Sequence, residues 1–437
     1  MLITSLVISF AAIVVVWAVA MVFAFADGRV GRRARLSSGQ TALQLSTVVQ
    51  GSSPAFSIVI PAREQLDALK RHLPAILEQD YDCYEVIVVD MASTDGTKDF
   101  LEQMELQYHN LRHTAVPASA RDISLDRLAL TLGIRSARYD WVVMTRANCE
   151  PLSSAWLTCM ADAISQQPEA DVVLGSAQYV PQMPKWLYYK EDFFRLWHTL
   201  GTANHVLSGH AAVRADSCNV AIRRTAFLSC GGFSVGQTLQ VGAVELLVNT
   251  LSTKTNTALA LHPDSAIAEE RPYNARFWRQ SRLFYAAIRR EQSHVKLYRL
   301  VQALRIIQPW AALLCIAIPL IACIFVLSRC VSLDWNYDMI AQYISPALVS
   351  SLSELDAAYD TSWSLYLLIA ALACLVLMMF SYYATRIVCF NRSARALGQH
   401  CFYSSLLLFD LLLPFWQIAT AVRHIFTPSS TFRKRFI

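Results

Sequence analysis

Three short segments of this chain place polar, chemistry-bearing residues at the ends of β-rich runs. They are FSIVIPARE from Phe56, EVIVVDMASTDGT from Glu85 and WVVMTRANCEP from Trp141. The runs break at Pro61-Ala62-Arg63-Glu64, at Asp90 to Gly96, and at Thr145 to Glu150. In a parallel sheet, such breaks fall beyond the carboxyl ends of the strands, where ligands bind. Carboxylates there accept hydrogen bonds, and a guanidinium pairs directly with phosphate groups. The layout argues for a sugar-nucleotide site.

Alternating elements must carry these loops. Ser57 to Ile60 reads as a strand stopped by Pro61, and Leu66, Leu69, Leu73, Ile76 and Leu77 follow at helical spacing. Glu85 to Val89 is the next strand, ending at Asp90. Thr94 to Met104 and Leu125 to Ala137 read as helices, and Trp141 to Met144 as a strand. This alternation predicts an α/β domain with a parallel sheet covered by helices. Trp186 to Leu200 is aromatic and amphipathic, which suits either an interfacial helix or one packed on the sheet.

The 437 residues are 54% hydrophobic and only 16% charged, with a mean hydropathy of +0.34. That excess sits at the two ends and predicts membrane segments. The net charge of +5 comes from basic residues beside those segments, including Arg29, Arg32, Arg33 and Arg35. This placement matches topology signals and lacks the basic, aromatic-studded face of a nucleic-acid binder. The 11 cysteines form no CxxC pair and offer no metal-ligand spacing, which agrees with a cytosolic central domain.

The expected organisation is an N-terminal transmembrane anchor at 1–26 and a basic, polar linker at 27–54. The α/β domain follows at 55–285, then a basic juxtamembrane segment at 286–305. Transmembrane helices are expected at 306–328 and 363–385. The last apolar run, 401–422, contains Asp410 and Pro414 and is basic on both flanks, so it reads as transmembrane or re-entrant. Positive charge after the first span places the central domain on the cytosolic side of a multi-pass inner-membrane protein.

The order of motifs from about Phe56 to Phe284 resembles glycosyltransferase family 2, whose members have the GT-A fold and use nucleotide-diphosphate sugars with inversion. The resemblance implies a GT-A, Rossmann-type nucleotide-diphospho-sugar transferase-like domain flanked by transmembrane helices. It also implies nucleotide contacts from Pro61, Ala62, Arg63, Glu64, Asp90, Asp95, Arg146 and Asn148. VVDMASTDGT resembles the family's V-V-D-D-x-S-T-D-G-T, with Met91 at the second Asp. TRANCEP resembles T-D-A-D-C-x-P, whose paired Asp residues bind a divalent metal. Arg146 and Asn148 stand at those two positions, so the metal ligands are unknown and the need for Mg²⁺ or Mn²⁺ stays open. Arg146 then becomes the expected partner of the diphosphate.

Further on, Gly242-Ala243-Val244-Glu245 occupies the place of the family's G-E-D, whose Asp is the general base; Glu245 is the expected substitute. Phe277 to Phe284 resembles Q-x-x-R-W and implies acceptor and diphosphate contacts from Trp278, Gln280 and Arg282. The expected function is a membrane-bound inverting transferase moving a sugar from a nucleotide-diphosphate donor to a lipid-linked or polysaccharide acceptor. The alternative is an inactive relative acting as a partner or scaffold in glycan assembly. The expected partners are the donor, the glycan acceptor and the bilayer, with no nucleic acid.

Overall fold

The computed structural model describes residues 2–44, 53–117, 124–181, 185–233, 239, 241–271, 274–314, 321 and 361–428. Two compact units emerge, one of Met1–Phe25 with Leu304–Val388, the other of Ala26–Ala303 with Cys389–Ile437.

The larger unit is built on a seven-stranded sheet. Its strands are β1 (Phe56–Ala62), β2 (Tyr84–Asp90), β3 (Leu111–Ala115), β4 (Trp141–Met144), β6 (Val172–Leu174), β8 (Val220–Arg223) and β9 (Thr257–Leu259). The order is β3-β2-β1-β4-β8-β6-β9, with β8 antiparallel to both its neighbours and every other pairing parallel. The chain winds outward from β1 to β3 and then returns to β4 on the other side of β1. The loops after β1 and β4 therefore diverge, which opens a crevice at that switch point. A second sheet pairs β5 (Cys149–Pro151), β10 (Ile267–Glu269) and β7 (Ala177–Tyr179), with β10 in the centre.

Strand alternation divides the core. Ile58, Ile60, Val86 and Val88 face one layer, with α2 (Leu66–Leu77), α3 (Thr97–Gln107) and α5 (Trp156–Gln166). Val59, Ile87 and Val89 face the other, against α4 (Leu125–Ser136), α7 (Arg224–Ser229) and α8 (Ala243–Leu251). This is the α/β class that the alternating pattern predicts. The first strand does not stop at Pro61. Residues pointing toward β4 alternate with those pointing toward β2, and β4 has already ended opposite Val59. The missing N–H of Pro61 therefore costs no ladder bond.

The predicted aromatic helix is α6 (Lys185–Leu207), and it is packed: Phe193, Trp197 and Leu200 are fully buried. The helix α9 (Ala275–Glu291) follows β10, and a further helix covers 296–314. The last apolar run forms the helix Ser404–Phe426, which packs against α9 and α6 within the same unit.

The helix α1 (Leu2–Gln44) runs on into the segment read as a linker. In the smaller unit, Trp17 Nε1 donates to Met378 O at 2.9 Å, and Gln308 Nε2 donates to Tyr382 OH at 2.7 Å and Ala20 O at 3.1 Å. Among the described residues, three helices are long and apolar enough to cross a membrane: Ile13–Ser37, Leu372–Ala396 and Ser404–Phe426. Most of the span expected at 306–328 lies outside the described residues.

Gly133 lets α4 lie close on the sheet: a Cβ there would fall 2.3 Å from Val59 Cγ1 and 3.2 Å from Val89 Cγ2. Both neighbours are stiff, β-branched and locked in strands. Gly133→Ala should cost about 1–3 kcal/mol and lower the midpoint of thermal unfolding followed by circular dichroism. An unchanged midpoint would contradict this packing.

Candidate functional site

A cavity of about 540 Å³ opens beside the tip of β4. Four helices, the end of β7 and four loop segments supply its walls, and helical spacing selects the helical residues. On α6, Glu191, Phe194, Arg195 and His198 fall at i, i+3, i+4 and i+7, one face of the helix. On α9, Trp278, Ser281, Arg282 and Tyr285 repeat that spacing. The helix Ser404–Phe426 adds Trp416, Gln417, Thr420 and Ala421, and α8 adds Glu245 from its first turn. Gly242 at the start of α8 is left-handed (φ 89°), and a Cβ there would sit 2.3 Å from Ile288 of α9. Glycine thus permits both the turn and the close approach that bring Glu245 to the cavity.

The structural centre of this site is Glu269, at the end of β10 and only 1% exposed. One of its oxygens lies 2.8 Å from Arg195 Nη1 and the other 2.5 Å from Arg271 Nη2. Burial opposes its charge, but Arg271, Arg195 and Arg146 outweigh that and pull its pKa down to about 2. Arg195 also binds Asp216 at 3.0 Å and stacks over the Tyr179 ring at 4.3 Å. Trp278 meets the same ring edge-on at 4.7 Å.

Arg146 follows β4 and faces the cavity. Its Nη2 donates to Ser217 Oγ at 3.2 Å, and its buried Nε has no partner among the described residues. Burial and Arg271 act against its charge, yet Asp126, Glu269 and Glu245 raise its pKa, so it is a fixed cation. Glu245 is 5% exposed, and burial raises its pKa against the opposing pull of Arg146 and Arg214. A carboxyl poised above its ordinary range is suited to taking a proton near neutral pH. Arg282 forms an ion pair with Glu191 and lies over the Phe194 ring at 4.4 Å.

The structure thus gathers Arg146, Glu245, Trp278, Gln280 and Arg282 around one cavity. The other expected residues lie at the neighbouring strand tips and do not line it. Pro61 and Ala62 end β1, and Asp90 ends β2 in register with Ala62. The Asp90 carboxylate is buried and, among the described residues, accepts only from the Ser93 N–H, at 3.2 and 3.3 Å, which leaves acceptor capacity for a ligand. Arg63 is exposed, while Glu64, left-handed at φ 49°, ties the two tips by accepting from Thr94 N at 2.9 Å. Asp95 spends both oxygens on helix starts, accepting from Leu66 N at 2.9 Å and from Thr97 Oγ1 at 2.6 Å. Asn148 turns to the second sheet, where its amide donates to Glu270 O at 2.5 Å.

Sequence reasoning missed Tyr179, Glu191, Arg195, Arg214, Glu269 and Arg271. Only the face of α6 carried a signal, in the charged and aromatic residues at i, i+3, i+4 and i+7. Glu269 and Arg271 lie in a short run of charges that reads as solvated surface.

A divalent metal, which the family motif implies, does not suit the residues here. Arg146 offers a cation and the Asn148 side-chain nitrogen is committed to backbone. Glu150, the nearest carboxylate in sequence, is 3.0 Å from His72. Hard divalent ions need several oxygen ligands, and among the described residues no group of three His, Cys, Asp or Glu side chains is placed to hold one.

Residues 57–229 match the family described as Glycosyl transferase family 2. Over 79 residues, 17% of this chain, the sequence is 32% identical to TuaG of Bacillus subtilis, a glycosyltransferase assigned to teichuronic acid biosynthesis. Over 60 residues, 13% of this chain, it is 38% identical to the glycosyltransferase AglE of Haloferax volcanii. These matches span 31% and 20% of the two relatives' own lengths, under a third in each case. Among solved structures, the mannosyltransferase PcManGT of Pyrobaculum calidifontis, in complex with GDP-Man and Mn²⁺, aligns at TM-score 0.43 and 20% identity. That alignment covers 83% of this chain and 99% of that one. S. aureus TarS 1-349 in complex with UDP-GlcNAc aligns at TM-score 0.37 and 16% identity, covering 50% and 59%.

Removing the charge of Glu269 leaves Arg195 and Arg271 buried with less compensation. Glu269→Gln should cost about 3–5 kcal/mol at neutral pH. Because the folded pKa of about 2 lies below the ordinary 4.5, the carboxylate's stabilisation is complete above pH 4.5 and fades as pH falls toward 2. Thermal midpoints of the two proteins should therefore converge across that window. A constant gap through the window would show that Glu269 does not carry the charge assigned to it.

Proposed function

We propose, from the premise that residues 57–229 belong to glycosyl transferase family 2, that this chain moves a sugar from a nucleotide-diphosphate donor to a glycan acceptor with inversion. The observation that carries the reading is the shared cavity of Arg146 and Glu245, a fixed cation and a proton acceptor on opposite elements. The nucleoside lies at the tips of β1 and β2, held by Arg63 and by the free acceptor positions of Asp90. The diphosphate extends toward Arg146. An acceptor hydroxyl in the cavity attacks the anomeric carbon as the bond to the diphosphate oxygen breaks. The electron pair leaves with the nucleoside diphosphate, and the hydroxyl proton passes to Glu245. A single in-line displacement inverts the anomeric configuration.

Arg146 meets the charge that builds on the leaving diphosphate. This is the task that a metal performs elsewhere, and a guanidinium is suited to it because it forks onto two phosphate oxygens. Gln280, Trp278 and Arg282 on α9 hold the acceptor side. The basic residues around Arg29 to Arg35 and from Arg289 to Arg305 orient this domain toward the cytosol, at the inner face of the cytoplasmic membrane.

A second reading, a relative that binds without turnover, is favoured by Met91 at a position where the family has Asp. Met91 is 6% exposed and packs into the core beside Val89. Donor binding and turnover separate the two. Uridine-diphosphate sugars should bind the detergent-solubilised protein equally with Mn²⁺ and with chelator, and Arg146→Glu should abolish binding. Loss of binding on chelation would overturn the role given to Arg146. Release of nucleoside diphosphate supports transfer, while binding with no release for any donor and acceptor supports the second reading.

Glu245→Gln should keep donor affinity and lower turnover by about 10²–10⁴-fold. In the wild type, the raised pKa of Glu245 means that turnover rises with pH through a value above the ordinary glutamate range. A profile flat through the acid limb would remove Glu245 from the proton transfer.

A further inference from the structure

The helix Ser404–Phe426 is held by the larger unit along most of its length. Leu406 in its first turn is buried, Phe409 packs on Phe193 at 5.2 Å, Trp416 packs on Phe194 at 5.2 Å, and Gln417 and Thr420 face the cavity. Leu406 and Thr420 stand about 21 Å apart along the axis. The surface that receives this face is ionic. Lys190 lies over the Trp416 ring at 5.3 Å, and Arg282, paired with Glu191, lies over the Phe194 ring at 4.4 Å. Arg195, Arg214 and Arg289 line the same cavity. A helix that crossed the bilayer with this face attached would draw those charges, and the loops and sheet edges behind them, into hydrocarbon.

The opposite face is apolar. Leu407, Leu408, Ile418, Val422 and Ile425 are exposed and fall within an arc of about 100° round the helix. Asp410 and Arg423 lie outside that arc, Asp410 buried and Arg423 exposed near its margin. Exposed aromatic residues flank the helix. Tyr189 of α6 meets Phe402, the neighbour of exposed Tyr403, at 6.3 Å. Lys190 lies over the Trp416 ring and also over the ring of Trp186, which is 65% exposed. Tryptophan and tyrosine settle at the headgroup level of a membrane, with the ring body in and the polar edge out. Beside a crossing helix such rings gather at its two ends. Here they accompany it from its start to Trp416, about 18 Å further along. The interface they mark runs parallel to the helix axis.

We infer that the Ser404–Phe426 helix lies in the plane of the membrane interface, on the side of the bilayer that carries the α/β domain, and does not cross. Its partner is the lipid surface. The arc from Leu407 to Ile425 enters the acyl layer, Trp186, Tyr189 and Tyr403 sit among the headgroups, and Arg423 meets headgroup phosphates. Length and composition alone permit a crossing. A packed polar face along the whole axis, with an apolar face opposite, is the pattern of a helix that lies in the interface. This orientation is independent of the transferase reading, which could fail without altering it.

Depth in the bilayer tests the orientation without donor or turnover. The full-length protein carries one environment-sensitive fluorescent amino acid at Leu408, Ile418 or Ile425. It is placed in vesicles of phosphatidylcholine and phosphatidylglycerol that are brominated either near the headgroup or at the chain end. All three positions are exposed, and a variant that loses the wild-type thermal midpoint is replaced by one at Leu407 or Val422. Every probe should be quenched at least about two-fold more by the shallow bromine, with an equal ratio at the three positions. A crossing helix would spread the probes over about 25 Å of depth, so that Ile418 would respond to the chain-end bromine and the outer two to the shallow one. A tilted, re-entrant helix would give a ratio that changes steadily from Leu408 to Ile425. Absence of quenching at all three would show the arc covered by protein. Each of these last three results would overturn the assignment.

Discussion

The site depends on one buried carboxylate. Glu269 neutralises two guanidinium groups that would otherwise repel each other and the third, Arg146, at close quarters. Burying such charges is costly, and the cluster persists only where geometry satisfies every partner. Here the second sheet supplies that geometry. Its antiparallel pairing of β10 with β5 sets Glu269 opposite Cys149, three residues after Arg146. Its parallel pairing with β7 sets Glu269 opposite Tyr179, whose ring receives Arg195. The short strands therefore act as a jig that fixes where the positive charge of the cavity stands.

Fixing charge in this way answers a problem created at the tip of β4. The segment that matches glycosyl transferase family 2 has a cation and an amide, Arg146 and Asn148, where that family places metal-binding carboxylates. Reversing the sign of that loop disfavours a divalent ion and at the same time supplies the charge that the ion would bring. The difference is one of adaptability. A metal exchanges ligands as the phosphate moves, whereas Arg146 is held by Ser217 and by the field of Glu269, Asp126 and Glu245. In the proposed reaction the diphosphate must therefore come to the arginine, which places more of the positioning on the strand tips of β1 and β2.

Much of the scaffold was legible in the sequence because its signals are local. The runs before Asp90 and Thr145 are β-branched and short, the intervening segments have helical spacing, and the charged breaks fall where a parallel sheet delivers them. Arg146 and Glu245 were also legible, through motif order. The residues that give them their properties were not. Glu269, the partner of Arg271, gains its meaning only from pairing across 74 residues of chain with Arg195, and no periodicity encodes that. Asp95 illustrates the converse. Its motif position suggests a ligand contact, while its two oxygens close the starts of α2 and α3. Pro61 shows how a local rule yields to register, since its lost donor points at a strand that has already ended.

The last helix shows why a hydropathy reading alone is ambiguous. Length and composition allow Ser404–Phe426 to cross a membrane, yet one face of it is part of the cavity wall. Phe409 packs on Phe193 at 5.2 Å, Trp416 on Phe194 at 5.2 Å, and Lys190 lies over Trp416 at 5.3 Å. These contacts fix the rotation of the helix, and Phe194 is also the ring beneath Arg282. Moving the helix would expose that ring and open the wall formed by Gln417 and Thr420. The helix is consequently amphipathic in an unusual sense: its inner face is specified by aromatic packing and its outer face by hydrocarbon. Exposed Phe415, Ile418, Val422 and Ile425 make that outer face apolar, while the packed inner face holds the cavity wall in place.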